Sequence, residues 1–166
     1  MRSILYQQLA GAAASKIEGR FLDLFEGRRP RPEALLAIAP EKLRAVGLSG
    51  NKVLAVKAVA EAFHSGSVRE RQLWHLDDDA VIQKLVPIRG VGEWTVHMLL
   101  MSSLGRPDVL PTGDYGVRKG VQLLYGLEEM PKPKEVAAIA EPWSPWRSVA
   151  SWYMWRHDEI AQIVAP

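Results

Sequence analysis

Leu85-Val-Pro-Ile-Arg-Gly90-Val-Gly92-Glu-Trp94-Thr-Val-His-Met98 is the stretch on which the reading of this chain turns. A helical pattern stops at Pro87, a Gly-x-Gly turn follows, and a second apolar helical pattern starts at Glu93. Two glycines one residue apart let the backbone take φ > 0 and come close to a ligand. The start of the second helix offers N–H groups without intrahelical partners and the positive end of a helix dipole, which together suit a phosphate. Taken alone, such a unit fits any helical hairpin closed by glycine.

On either side the periodicity stays helical. Leu9, Ala13, Ile17, Phe21 and Phe25 recur every four positions and predict one amphipathic helix within residues 3–26. Pro32 and Pro40 stand where first helical turns begin, and Gly47 where one stops. Val53, Val56, Val59, Ala60 and Phe63 predict a helix over residues 50–64, and Asp77 or Asp78 caps another through Val86. The second arm of the hairpin runs from Glu93 to Leu104, and residues 114–126, 133–141 and 145–164 supply three more helices with prolines in the joints. No window alternates apolar and polar residues long enough for a strand. The fold class is all-α, in a single unit over residues 1–166 whose hairpin occupies about residues 78–104.

Composition removes several kinds of chemistry. The 166 residues include no cysteine, so disulfides, thiolate zinc sites, Cys-ligated iron–sulfur clusters and a cysteine nucleophile are excluded. The four histidines, His64, His75, His97 and His157, form no ligand-spaced pair. The net charge of +2 hides an asymmetry: residues 1–76 carry 12 basic and 7 acidic side chains, a local +5, with Arg28, Arg29, Arg31, Lys42, Arg44, Lys52 and Lys57 prominent. Such an excess marks either a solvated helical surface or a face for a polyanion. The N-terminus imitates a secretory leader, but its apolar run Ile4-Leu5-Tyr6 is shorter than a leader core, and no stretch reaches the ~18 apolar residues of a membrane span. The expected protein is soluble and intracellular (cytoplasm and nucleoid, or nucleus), with no membrane partner.

Two further segments sharpen the hairpin. Leu110-Pro-Thr-Gly-Asp114-Tyr-Gly-Val-Arg118 opens a helix at Asp114, by default an N-cap. Pro142-Trp-Ser-Pro-Trp-Arg-Ser-Val-Ala-Ser-Trp-Tyr-Met-Trp155-Arg156 holds four of the six tryptophans, by default a core stripe. Together, Gly90-Val91-Gly92-x-Trp94-Thr95, Leu110-Pro111-x-x-Asp114-Tyr115 and Trp143-x-Pro145-Trp146-Arg147-Ser148 resemble the helix–hairpin–helix (HhH-GPD) DNA glycosylase superfamily, most closely its 3-methyladenine DNA glycosylase II group, from about Ser3 to the C-terminus.

The resemblance implies a two-lobed helical bundle with its active site in the cleft between the lobes, without an iron–sulfur cluster. It implies a monomeric base-excision-repair enzyme that hydrolyses the N-glycosidic bond of alkylated purines, of the 3-methyladenine and 7-methylguanine type, in damaged double-stranded DNA. Asp114 aligns with the catalytic aspartate, and Trp94, Met98, Tyr115 and Trp155 with the base pocket. Ile88, Arg89, Gly90, Val91, Gly92 and Thr95 align with the DNA-gripping turn, and Gln8 with the side chain that fills the gap left by a flipped base. No cofactor is implied for the reaction; a sodium or potassium ion at the hairpin would rest on the backbone carbonyls of Val86, Ile88 and Val91. Relatives that are also lyases carry a Schiff-base lysine where this chain has Trp94, which implies a monofunctional enzyme. Alternatives within reach are ethenoadenine or hypoxanthine as substrate, or a non-catalytic module that binds damaged DNA. Trp143 and Trp146 are expected in the core, Arg118 and Lys119 beside acids or phosphate, and His97 in packing or at the surface. Relatives carry helices before the Gln7-Gln8-Leu9 segment, so the first helix is expected to lack packing partners.

Overall fold

Proline, glycine and short polar caps set most of the helix boundaries in the computed structural model, which describes residues 1–9 and 11–164, with side chains through His157. The helices are α1 (Arg2–Tyr6), α2 (Gly11–Leu22), α3 (Pro32–Ala37), α4 (Pro40–Ala45), α5 (Gly50–His64), α6 (Glu70–Leu73), α7 (Asp78–Leu85), α8 (Glu93–Ser102), α9 (Tyr115–Leu124), α10 (Pro133–Ile139) and α11 (Arg147–Val164). Among the described residues there is no strand, and no helix is long and apolar enough to cross a membrane. Proline opens α3, α4 and α10, where its missing N–H costs nothing. Ser49 caps α5 by accepting from the Lys52 N–H, and Asp77 caps α7 by accepting from the Ala80 N–H at 2.7 Å. The chain divides into two compact units, Met1–Val96 and a second beginning at His97; the boundary falls within α8.

In the first unit α5 buries Val53, Ala55, Val56 and Ala60, and α1, α3 and α4 pack against it. Two of its lysines turn inward. Lys57 Nζ donates to the carbonyls of Leu36 and Ile38 at 2.7 and 2.6 Å, closing the C-terminal end of α3, and Lys52 Nζ donates to the Leu5 carbonyl at 2.7 Å. Burial pushes the Lys52 ammonium below its ordinary pKa. Part of the basic excess of residues 1–76 therefore serves helix ends rather than a polyanion.

The single helix predicted within residues 3–26 is two. α1 ends at Tyr6, Gln8 takes φ +56°, and α2 begins at Gly11. Leu9 and Ala13 are exposed, and the buried stripe of α2 is Ala14 and Phe21. The break is tertiary in origin: Lys52 takes the Leu5 carbonyl near the end of α1, and the Gln7 side chain is drawn to the hairpin. Nor does α1 lack partners, since Ile4 and Leu5 are each only 1% exposed against α2 and α5.

In the second unit α9 lies along α11, and Val117, Val121, Val136 and Met154 form a buried cluster covered by Leu127, Ile139, Trp143 and Trp155. Trp143 joins this core and donates its Nε1–H to the Tyr125 hydroxyl at 3.2 Å. Trp146, expected beside it, is instead 61% exposed, directly before the clamp that starts α11. In that clamp Arg147 forks onto Asp108 through Nε and a terminal nitrogen at 2.6 and 2.7 Å, and the Arg147 N–H and Ser144 hydroxyl add bonds to the same carboxylate at 3.2 and 3.0 Å. Ser148 Oγ donates to the Arg106 carbonyl and accepts from the Val109 N–H. The guanidinium holds the Asp108 carboxyl well below its ordinary value, at about 2.

Candidate active site

The hairpin belongs to the first unit. The Ile88 N–H donates to the Leu85 carbonyl and the Val91 N–H to the Ile88 carbonyl, each at 3.0 Å. Gly90 sits at φ +80°, and a Cβ there would lie 2.3 Å from the Ala55 Cβ, so both the dihedral and the packing on α5 demand glycine. Gly92 differs from the expectation for a paired Gly-x-Gly. Its φ is not in the left-handed region, and a Cβ there would meet open space. Gly92 therefore leaves room directly before α8, whose first-turn N–H groups have no partner within the helix. Val91 and Thr95 are buried, Trp94 is half-buried, and Arg89 and Val86 are exposed.

Sequence reasoning missed Gln7. Its Nε2 donates to the Gly90 carbonyl at 3.2 Å and to Thr95 Oγ1 at 2.8 Å, linking the α1–α2 turn to the hairpin. Thr95, expected to contact DNA, thus accepts from a protein side chain. Gln8 is exposed on the same turn at φ +56°.

In the second unit Asp114 is the N-cap of α9. Its Oδ1 accepts from the Val117 N–H at 2.8 Å and from Trp155 Nε1–H at 2.7 Å. The cap role does not exclude a chemical one, because a carboxylate held by one backbone and one ring donor keeps a fixed orientation. Gly116 makes this possible. A Cβ there would come within 2.7 Å of Trp155 Cδ1, so a side chain would push the ring off the carboxylate. A glycine two residues into a helix, where alanine would be favoured, was the sequence signal for this contact. Tyr115, next to Asp114, is 64% exposed.

Trp155 also lines a cavity of about 470 Å³ together with Met98, Met101, Pro107, Val149 and Trp152. Of the four expected pocket residues, Met98 and Trp155 line this space, Tyr115 stands in the same unit beside Asp114, and Trp94 belongs to the first unit. Met101 and Val149 escaped sequence reading because nothing local marks which face of α8 or α11 borders a cavity. Arg118 and Lys119 bind within their own unit, Arg118 Nε to the Pro131 carbonyl at 2.8 Å and Lys119 Nζ to Gln122 at 3.0 Å; His97 is half-buried on α8.

An all-helical chain with a Gly-x-Gly hairpin, an aspartate capping the next long helix and an aromatic wall hydrogen-bonded to that aspartate has the build of a helix–hairpin–helix base-excision protein. The chain belongs to that family: the profile of the "HhH-GPD superfamily base excision DNA repair protein" matches residues 1–145. Among its relatives, DNA-3-methyladenine glycosylase 1 of Schizosaccharomyces pombe is 35% identical over the whole of this chain and 74% of its own length. The 3-methyladenine DNA glycosylase Mag1 of the same yeast, solved in complex with abasic DNA, superimposes with a TM-score of 0.90 at 36% identity over 93% of this chain and 76% of that one. A DNA-3-methyladenine glycosidase from Bacillus halodurans gives 0.83 at 37% identity, over 98% and 75%. The chain thus spans about three quarters of the length of these relatives.

Proposed function

We propose that the protein is a base-excision-repair DNA glycosylase that takes a damaged purine out of double-stranded DNA and hydrolyses its N-glycosidic bond, with alkylated purines of the 3-methyladenine and 7-methylguanine type as substrates. The observation that carries the reading is Asp114, held by the Val117 N–H and by the ring of Trp155, which itself lines an apolar cavity. Backbone gripping alone requires neither a carboxylate nor an aromatic wall.

A base inside a duplex must leave the stack before chemistry reaches it, at a cost of a few kcal/mol that is smaller for damaged bases. The hairpin at Ile88–Gly92 offers the α8 N-terminus to the backbone, and Gln8 stands exposed to fill the vacated space. An N-alkylated purine carries positive charge, so an electron-rich ring such as Trp155 attracts it by about 0.5–2 kcal/mol. That discriminates modestly; the larger advantage is a cationic leaving group that departs without a general acid. As the bond breaks, positive charge builds on the sugar. Asp114 stabilises it electrostatically and orients or deprotonates the attacking water. Trp94 occupies the place where a Schiff-base lysine would act, so the product is an intact abasic site.

The carbonyls of Val86, Ile88 and Val91 are neutral oxygen donors, chemistry that suits sodium or potassium; such an ion would supply positive charge near a bound phosphate. The Ile88 carbonyl already accepts from the Val91 N–H and would offer its second lone pair. The protein would act where its DNA resides, in the cytoplasm and nucleoid or in the nucleus, as a monomer.

The test is release of free base from duplexes carrying 3-methyladenine, 7-methylguanine, ethenoadenine or hypoxanthine, at two salt concentrations. Release of the methylated purines at low salt, falling steeply as salt rises, is the expected result. Salt-sensitive binding to every duplex without release of any base would favour a damage-binding module instead.

A further inference from the structure

Gln7 has no place in the chemistry above, yet both donors of its carboxamide are committed across the first unit: Nε2 bonds the Gly90 carbonyl at 3.2 Å and Thr95 Oγ1 at 2.8 Å. The Gly90 carbonyl belongs to the turn proposed to hold the DNA backbone, and Thr95, 8% exposed, lies in the first turn of α8. Lys52 Nζ also holds the Leu5 carbonyl at 2.7 Å, two residues before Gln7. Directly after these anchors Gln8 is left exposed in a left-handed conformation, φ +56°, which a non-glycine residue rarely adopts without enforcement by the surrounding structure. A free turn would relax; this one is pinned at Leu5 and Gln7, on the side from which the chain enters Gln8.

We infer that Gln7 is a positioning residue: its carboxamide fixes the turn bearing Gln8 to the Gly90 hairpin, so that gripping the duplex backbone and inserting Gln8 into the gap left by an extruded base occur as one rigid movement. This rests on the glycosylase reading for its DNA substrate, but the latch itself is a contact within one unit. A rigid turn avoids the ordering cost that a loose one would meet on insertion.

The experiment compares wild type with Gln7→Met, which keeps length and loses both donors, with Thr95→Val, which removes one acceptor, and with the double variant. A duplex carrying a stable abasic analogue beside 2-aminopurine reports insertion by fluorescence. Excision of 7-methylguanine is measured in duplex and in single-stranded DNA, where there is no gap to fill. The expected result for Gln7→Met is loss of most of the 2-aminopurine response and about a tenfold fall in duplex excision, with single-stranded excision within about twofold of wild type. Thr95→Val is expected to fall in the same direction, and the double variant to be no worse than Gln7→Met. Equal losses on both strand forms, additive losses, or an unchanged 2-aminopurine signal with melting temperature preserved would overturn the latch. If wild type releases no base at all, the glycosylase reading fails separately, while the 2-aminopurine comparison still decides whether Gln7 governs insertion.

Discussion

Asp114→Asn separates the helix-cap role of this carboxylate from the catalytic role proposed for it. Both the Val117 N–H and Trp155 Nε1–H reach the same oxygen, Oδ1, at 2.8 and 2.7 Å. The amide oxygen of asparagine accepts both, and asparagine is as good an N-cap as aspartate. The variant thus keeps the start of α9 and the seat of Trp155, and loses the negative charge. A full charge about 4 Å from a developing sugar cation contributes about 4 kcal/mol at an effective dielectric of about 20, a factor of about a thousand in rate. Asp114→Ala removes the same charge and also the cap, about 1 kcal/mol or about 3 °C in melting temperature for a chain of this size. The assay is single-turnover release of 7-methylguanine from a duplex, with thermal melting and binding to an abasic duplex measured alongside. The expected pattern is a fall of at least a hundredfold for both variants, affinity within about threefold of wild type, and a melting temperature lowered only for alanine. Turnover by Asp114→Asn within tenfold of wild type would refute a catalytic charge at this position. A melting temperature lowered as much by asparagine as by alanine would refute the shared-oxygen geometry.

Gly116→Ala should leave the helix as stable or more so, since alanine favours helix by about 0.5–1 kcal/mol, yet lower excision about tenfold by pushing Trp155 off Asp114; unchanged kinetics would mean the ring position is immaterial. Arg147→Lys replaces a two-pronged grip on Asp108 by a single contact and should lower stability by about 1–2 kcal/mol, read by denaturant unfolding. Because the Asp108 carboxyl lies at about 2 in the folded chain against an ordinary 3.8, its stabilisation is complete above pH 4 and is lost as pH falls from about 4 to 2; Asp108→Asn should remove that part of the acid-unfolding profile. Borohydride added during turnover should trap no protein on damaged DNA if the proposed enzyme is monofunctional, with Trp94 at the position proposed for a Schiff-base lysine in lyases; a covalent adduct seen on a denaturing gel would contradict that proposal.

The sequence alone determined the all-helical class, most helix boundaries, the hairpin at Gly90 and Asp114 as the start of α9, because each depends on local rules: a period near 3.6, proline at first turns, side-chain oxygens at caps, glycine where φ is positive. It could not determine that residues 3–26 form two helices, because the break comes from Lys52 and from hairpin groups more than eighty residues away that bind Gln7. It assigned the basic surplus to the surface, whereas Lys52 and Lys57 end on backbone carbonyls; charge can be counted along a chain, but its direction is fixed only when helix ends meet. Likewise the tryptophan-rich segment reads as one aromatic stripe, while the fold sorts it. Trp143 enters the core, Trp146 faces solvent, and Trp155 donates to an aspartate forty-one positions earlier. That last bond depends on Gly116 leaving room for a ring, a condition that exists only once α9 and α11 lie side by side.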